Sequence, residues 1–435
     1  MEIETLKRSH LKRNIVIAVV VVVIISAITL TFTRAKYKTT ESIPLVNGTI
    51  NYTPYDLKMV AMYQEENGEY KSIDTVPTSG YTLNEEKSYC EVNDTKDESI
   101  SMEYKDGKVY IGVSKKGTKC YLYFDVQLCQ GEACNTILAN KEIKTRSLPF
   151  TTSTKVTDTT TEVIYQAEDD WGDTYYFAGN PTDNWVKFAG FYWRIIRING
   201  DGSIRMIYQG TSANTTGTGT QLQESAFNSS YNRSEYVGYM YTSGQQHGNT
   251  TDSPIKDIVD SWYSSNLASY ADKISKEAGF CGDRNMASGS SWSSTPSSTI
   301  YYAGYGRLVQ KSSSVNPTFK CSNSTDLYTV SGSSKGNKAL SNPVGLITAD
   351  EVTMAGLPWS GSTTSNYLYT GQYYWTMSPY SFGGSFASVF RVDSDGSLNY
   401  SWVNNSFGVR PVINLRSDIT ILSGDGTSSN PYVIL

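Results

Sequence analysis

From Ile15 to Phe32 the chain carries no charge and is dominated by Val and Ile. As a helix rising about 1.5 Å per residue, that stretch crosses or nearly crosses a hydrocarbon core of about 30 Å. Lys7, Arg8, Lys12 and Arg13 stand just before it, the arrangement that holds an N-terminus in the cytoplasm; Arg34, Lys36 and Lys38 after it make the asymmetry modest. A cleaved signal peptide is the rival, but its apolar core is normally shorter and no clean small-x-small site follows. The pattern predicts a cytoplasmic tail and transmembrane helix over 1–36. The protein is then a single-pass cell-membrane protein whose C-terminal part is extracellular.

Past residue 36 the continuous apolar pattern gives way to alternation. Leu57–Tyr63, Lys108–Val113 and Cys120–Val126 read as strands separated by turn signals, and Asp106-Gly107 supplies the positive-φ residues of a hairpin. Residues 37–126 therefore read as a small all-β domain. Residues 127–162 read as a linker, because the Thr/Ser-rich run Thr151–Thr161 has almost nothing apolar to pack. At Val163 the texture changes: Trp171, Tyr175, Tyr176, Phe177, Trp185 and Phe188 crowd together as a core enters a larger domain, 163–418.

Within it, Phe191–Ile198 and Ser203–Tyr208 flank Asn199-Gly-Asp-Gly202, and Val389–Val392 and Leu398–Trp402 flank Asp393-Ser-Asp-Gly396. Gly408–Leu415 reads as a buried strand. Ile255, Ile258, Val259, Trp262 and Tyr263 fall on one helical face behind a Ser253 cap and Pro254. A second helix opens on the capping box Thr348-Ala-Asp-Glu351 and stops at Gly356. Ile419–Leu422 and Asn430–Leu435 suit an appended hairpin over 419–435. Two helices among short strands and long loops predict an α+β fold.

A net charge of −5 leaves no basic excess, so nucleic acid is not an expected partner. Charged residues make up only 18% of the chain while Tyr numbers 33, a composition shared by recognition surfaces and ordinary extracellular β proteins. All six cysteines lie beyond the apolar run, and an even number in an oxidising compartment points to disulfides. Six cysteines allow about fifteen pairings. Joining sequence neighbours is simplest: Cys90 to Cys120, Cys129 to Cys134, Cys281 to Cys321.

Little supports catalysis, a metal or a cofactor. His247 is the one histidine past the apolar run, and it sits in the mobile-looking loop Ser243–Gly248. Asp393-x-Asp395-Gly396 and Asn199-x-Asp201-Gly202 resemble the start of a calcium loop but lack its later bidentate Glu, so hairpin turns explain both. Asp169-Asp170 is expected in a solvated loop. The stretch Tyr367–Phe407 stands out: its 41 residues hold twelve aromatics, eight Ser, three Asn and three charges. Tyr374 and Trp375 suit a core. Tyr380, Phe382, Phe386, Tyr400, Trp402 and Asn404 are expected to point outward from hairpin tips as ligand contacts. The expected partner is an extracellular protein or glycan.

Tyr373-Tyr-Trp-Thr-Met-Ser-Pro379, the hairpin through Asp395-Gly396 and Gly408-Val-Arg-Pro-Val-Ile-Asn-Leu415 resemble the end of C-type-lectin-fold domains in surface proteins of gut bacteria. Trp193–Gly202 and Gly345–Glu351 are similar to the same group, over about 163–418. The resemblance implies a C-type-lectin-like domain, a fold shared with formylglycine-generating enzymes and with the variable ligand-binding proteins of diversity-generating retroelements. In the variable proteins the changing residues fall where Tyr380–Phe407 falls here, and Ser, Asn, Tyr, Phe and Gly are residues that adenine mutagenesis of Asn codons produces. No Glu-Pro-Asn, Gln-Pro-Asp or Trp-Asn-Asp triplet of sugar-binding C-type lectins is present. The closely spaced cysteine pair of the generating enzymes is also missing. The reading is a membrane-anchored receptor or adhesin, not an enzyme; the alternatives are a formylglycine-generating-type enzyme and a structural envelope protein.

Overall fold

The computed structural model describes residues 43–45, 48–51 and 57–434, except 67–68, 78–79, 106, 114, 140, 150–162, 214–215, 311–313, 358 and 360. Ile15–Phe32 lies outside the described residues, and among those described no helix is long and apolar enough to cross a membrane. The single-pass membrane anchor, and the cell-membrane location drawn from it, are therefore not supported. Among the described residues strands hold 38% and helices 12%, so the chain is β-rich rather than α+β with a transmembrane helix. The two helices read from the sequence do form, but they are too short to set the class. The apolar side chains are carried instead by strands such as Ile204–Gly210 and Val412–Leu415, buried at every position.

The chain divides into two compact units, one ending at Leu128 and the other beginning at Cys129. In the first, Thr118–Val126 pairs in parallel with Leu57–Glu66 and antiparallel with Tyr81–Leu83 and Tyr89–Val92. The two-residue period decides its faces: Cys120, Leu122 and Phe124 are buried, while Tyr121 stacks on Tyr89 and Tyr123 on Tyr63 on the other side. Met102–Lys105 and Lys108–Ile111 form the hairpin around Gly107. Cys90 and Cys120 are directly opposite across strands and are bonded.

The second unit begins with Cys129–Cys134, α1 (Glu132–Leu138) and the strand Glu142–Thr145, which pairs in parallel with Val163–Asp169. Part of the stretch expected as linker thus belongs to this unit, because Ala133, Cys134, Ile137 and Leu138 are apolar enough to be buried. The main sheet runs on through Gly172–Tyr176, Phe191–Ile198, Ile204–Gly210 and Val412–Leu415. Its other edge is Trp185–Phe188 with Tyr432–Ile434 beside it in parallel. Tyr432–Ile434 is therefore a strand of this sheet, with Ser423 also bridged to Val433.

α2 (Pro254–Asn266) buries Ile255, Val259 and Tyr263. Ser253 stands at its N-cap, but its hydroxyl donates to the Tyr239 carbonyl (2.8 Å) instead of capping. α3 spans Ala303–Leu308. α4 (Ala349–Met354) has the complete capping box between Thr348 and Glu351, and Gly356 follows at φ 97°. A second sheet is ordered Glu224–Ala226, Ser406–Gly408, Tyr374–Gly383, Phe386–Val392, Leu398–Trp402, with Ile300–Tyr301 added on Tyr374–Gly383. This sheet positions the recognition residues.

Candidate functional site

Gly383-Gly384-Ser385 makes the tip of the Tyr374–Val392 hairpin, with φ 58° at Gly384 and 73° at Ser385. Ser388 lies opposite Trp402 and Phe390 opposite Tyr400, so Phe386, Phe390, Tyr400 and Trp402 share one face. On it Phe386 is sandwiched, 4.2 Å from the Trp402 ring and 4.9 Å from Tyr231, all nearly parallel. The Ala387 N–H donates to the Tyr231 carbonyl (2.8 Å) and holds the third ring in place. Next to this column Tyr400 stacks on Tyr380 at 4.0 Å, with Trp359 parallel to both and Phe390 edge-on to Tyr380. Tyr305 meets Tyr380 edge-on at 5.5 Å and stacks on Tyr301 at 3.9 Å.

The six expected contact residues do not share one fate. Trp402 and Tyr400 are 47% and 40% exposed, as is Tyr231 at 38%. Asn404 is exposed and Phe386 partly so. Tyr380 (7%) and Phe382 (4%) are buried, which corrects their expected outward direction. Strand Ile300–Tyr301 pairs with Ser381 and Phe382, and a register shift between Pro379 and Ser381 turns Tyr380 under its neighbours. Burial raises the Tyr380 hydroxyl's pKa, helped by Tyr400, Tyr301 and Tyr305, so it stays a neutral donor. Tyr231, Trp359, Tyr301 and Tyr305 are additions that sequence reasoning missed.

The outer edge of Leu398–Trp402 is partly occupied, with Trp359 bridged to Leu398 and two backbone groups bonded locally. Asn399 Oδ1 accepts the Tyr400 N–H (2.9 Å), and the Trp402 carbonyl accepts the Asn405 N–H (3.1 Å). Asn405 Nδ2 also donates to Ser401 Oγ (2.7 Å), fixing the turn that presents Asn404.

Other groups considered from the sequence are tied into the framework. His247 Nδ1 lies 2.9 Å from Asp326 Oδ2, and among the described residues no Ser or Thr hydroxyl bonds the ring. Asp326 in turn accepts from Arg284 Nε (2.9 Å), Nη2 (2.6 Å) and backbone N–H (2.6 Å). Burial works to raise the Asp326 carboxyl, but His247 and Arg284 hold it below the ordinary range. Asp169, expected in a solvated loop, is buried and accepts from Arg197 Nη1 (2.5 Å), Trp171 N–H (2.8 Å) and Gly200 N–H (3.0 Å). Asp170 accepts the Cys321 N–H (3.0 Å), and burial raises its carboxyl. Glu351 lies between Arg197 Nε (3.2 Å) and Arg205 Nε (2.5 Å), while Arg307 pairs with Asp283 (2.5 Å) and Asp350 (2.9 Å). These groups line a cavity of about 20 Å³, room for about one water molecule.

Asp201 and Asp395 each accept from the Ser two residues on, Ser203 and Ser397, as hairpin turns do. Among the described residues no three His, Cys, Asp or Glu are grouped to hold a metal ion. Cys281 and Cys321 are bonded, and the three disulfides are consistent with an extracellular protein. Compared with protein-family models, curated proteins and solved structures, the chain matches none.

Proposed function

We propose that this chain is an extracellular ligand-binding protein whose second unit presents the Tyr231–Phe386–Trp402–Tyr400 face to a protein partner. One observation carries the reading: three large aromatic side chains are about two-fifths exposed on a face whose strands are otherwise buried. Stacked rings on paired strands have little rotamer freedom left to lose, so binding costs less ordering entropy. Exposed Ser385 and Asn404 lie at the margin of this face, while Arg391 and Asn399, opposite each other one residue along, take the other face of the sheet, where both bond Asp393. This is the make-up of a hot-spot patch with a polar rim.

The resemblance to variable ligand-binding proteins supports the same face, since their diversified segment corresponds to Tyr380–Phe407. The enzyme reading would draw on free thiols, whereas Cys281 and Cys321 occupy each other. To test the proposal, the wild-type chain and the Tyr400→Ala/Trp402→Ala variant are screened against an array of purified extracellular proteins. Each substitution should weaken a true interaction by on the order of 2 kcal/mol, with the melting temperature lowered by only a few degrees and the fold retained. Binding that ignores the double variant would overturn the reading.

A further inference from the structure

α2 carries more apolar surface than its core contact uses. Ile255, Val259 and Tyr263 account for the buried stripe, yet Ile258 and Trp262, one step round the helix, are only partly covered. They open into a groove of about 540 Å³, within the range of small-molecule sites. Tyr208 and Leu222 complete its apolar wall, and its polar lining is Gln223, Asp257, Ser261, Ser265 and Asn266.

From this groove we infer a binding site for a neutral sugar, a pyranose or short oligosaccharide, separate from the aromatic face and independent of the protein-binding reading. The groove has no Lys or Arg in its lining, so nothing there balances a phosphate, sulfate or carboxylate. Asp257 is its one charged group and makes no ion pair among the described residues, while its neighbours Asp252 and Asp260 are both paired with Lys256 (2.9 and 2.6 Å). A carboxylate, an amide and hydroxyls around an indole suit a ligand that offers many hydroxyl donors and one apolar C–H face.

The competing ligand for an acid beside aromatics is a quaternary ammonium, which requires several ring faces around an empty box. Here Phe191, Trp193 and Tyr208 are packed against Trp262 itself at 5.2, 6.1 and 5.4 Å, steeply inclined to it, and Phe191 and Trp193 do not line the groove. Two rings remain on the groove, Trp262 and Tyr208, packed edge to face against each other and not opposed across an empty box. The surrounding rings also fix the Trp262 plane, as a stacking platform requires.

The test is saturation-transfer NMR on the full chain with glucose, galactose, mannose, N-acetylglucosamine, maltose and cellobiose, and with choline as the cation probe. At least one sugar should bind in the millimolar range and choline should be silent. Asp257→Asn and Gln223→Ala, both at exposed positions, should each weaken the sugar at least fivefold without moving the melting temperature. The Tyr400→Ala/Trp402→Ala variant should bind it as wild type does. Silence across the sugars, a choline signal in their place, or indifference to both groove substitutions overturns the inference. Loss of the signal in the Tyr400/Trp402 variant overturns it too, and assigns the sugar to the aromatic face.

Discussion

The second unit keeps two opposite populations, ion pairs inside and aromatics outside. Arg197, Arg205 and Arg284 are almost fully buried with Asp169, Glu351 and Asp326, while Tyr231, Tyr400 and Trp402 face solvent. Each is the reverse of the usual partition. Arg284 shows what buried charge does here: besides Asp326 it donates to the carbonyls of Met240 (3.0 Å) and Gly248 (2.8 Å) and to Asn249 Oδ1 (2.7 Å). One guanidinium thus ties the short strand Met240–Tyr241 to the loop at Gly248–Asn249, satisfying carbonyls at both. The aromatic face has the inverse economy: paired strands supply its rigidity, so its side chains need not be buried to be ordered.

The comparison breaks most sharply at Arg284. Arg284→Leu removes the cation that offsets buried Asp326, leaving it His247 and a backbone N–H, and frees the Gly248 carbonyl; it should cost about 3–5 kcal/mol, read as a lower denaturation midpoint. The aromatic face should stay intact in whatever fraction remains folded. Cysteine replacement comes next. Cys281→Ser/Cys321→Ser opens a 40-residue separation and should lose about 2–4 kcal/mol. An unchanged melting temperature would show that the surrounding ion pairs, not the bridge, hold that loop.

Acid titration sharpens the contrast further. Burial works to raise the Glu351 carboxyl, yet Arg205, Arg197 and the Thr348 N–H together hold it below the ordinary range. A depressed folded pKa gives stability that is present above the unfolded value, roughly pH 4.5, and lost as pH falls through the folded one. Asp326 acts in the same sense. Asp283 opposes them, because burial outweighs Arg307 and raises its carboxyl, so its contribution declines as pH climbs from the unfolded value through the folded one. From about pH 5 down to pH 3 the wild type should lose stability relative to Glu351→Gln, which lacks this carboxyl although it is less stable throughout. An equally steep profile in the variant would remove Glu351 from the acid response.

Local pattern was the legible part of this chain. The turns at Gly107, Gly202 and Gly396, the capping box at Thr348 and the core role of Tyr374 and Trp375 follow from short windows of sequence, while the three cysteine pairings follow from chain order, as the simplest way to join six. What failed to show was long in range. Tyr231 reaches Phe386 from 155 residues away, and Asp169 meets Arg197 across a sheet no window contains. Tyr380 and Phe382 were misdirected because the strand is buried on both sides instead of alternating: a register shift at Pro379/Ser381 turns Tyr380 inward, and Ile300–Tyr301, which pairs beside it, lies 80 residues upstream. Class was misjudged because two well-signalled helices weigh more in a sequence than dozens of weakly signalled strand residues.

The smallest effect decides whether the exposed rings are a surface at all. Trp402 rests one face on Phe386 at 4.2 Å and leaves 47% of its area in solvent; Tyr400 rests on Tyr380 at 4.0 Å with 40% free. Removing Trp402 forfeits its contact with Phe386, and removing Tyr400 forfeits those with Tyr380 and Trp359, about 0.5–1.5 kcal/mol per contact; neither opens a closed cavity, because solvent reaches the space left. Trp375 provides the control in the same sheet. It is fully buried and its indole N–H donates to the Ser225 carbonyl (2.8 Å), so Trp375→Ala should cost about 3–5 kcal/mol. Chemical denaturation of the three single variants measures the gap directly. If Trp402→Ala proves as costly as Trp375→Ala, the outer rings are core after all, and the division between a charged interior and an aromatic exterior fails at its more important half.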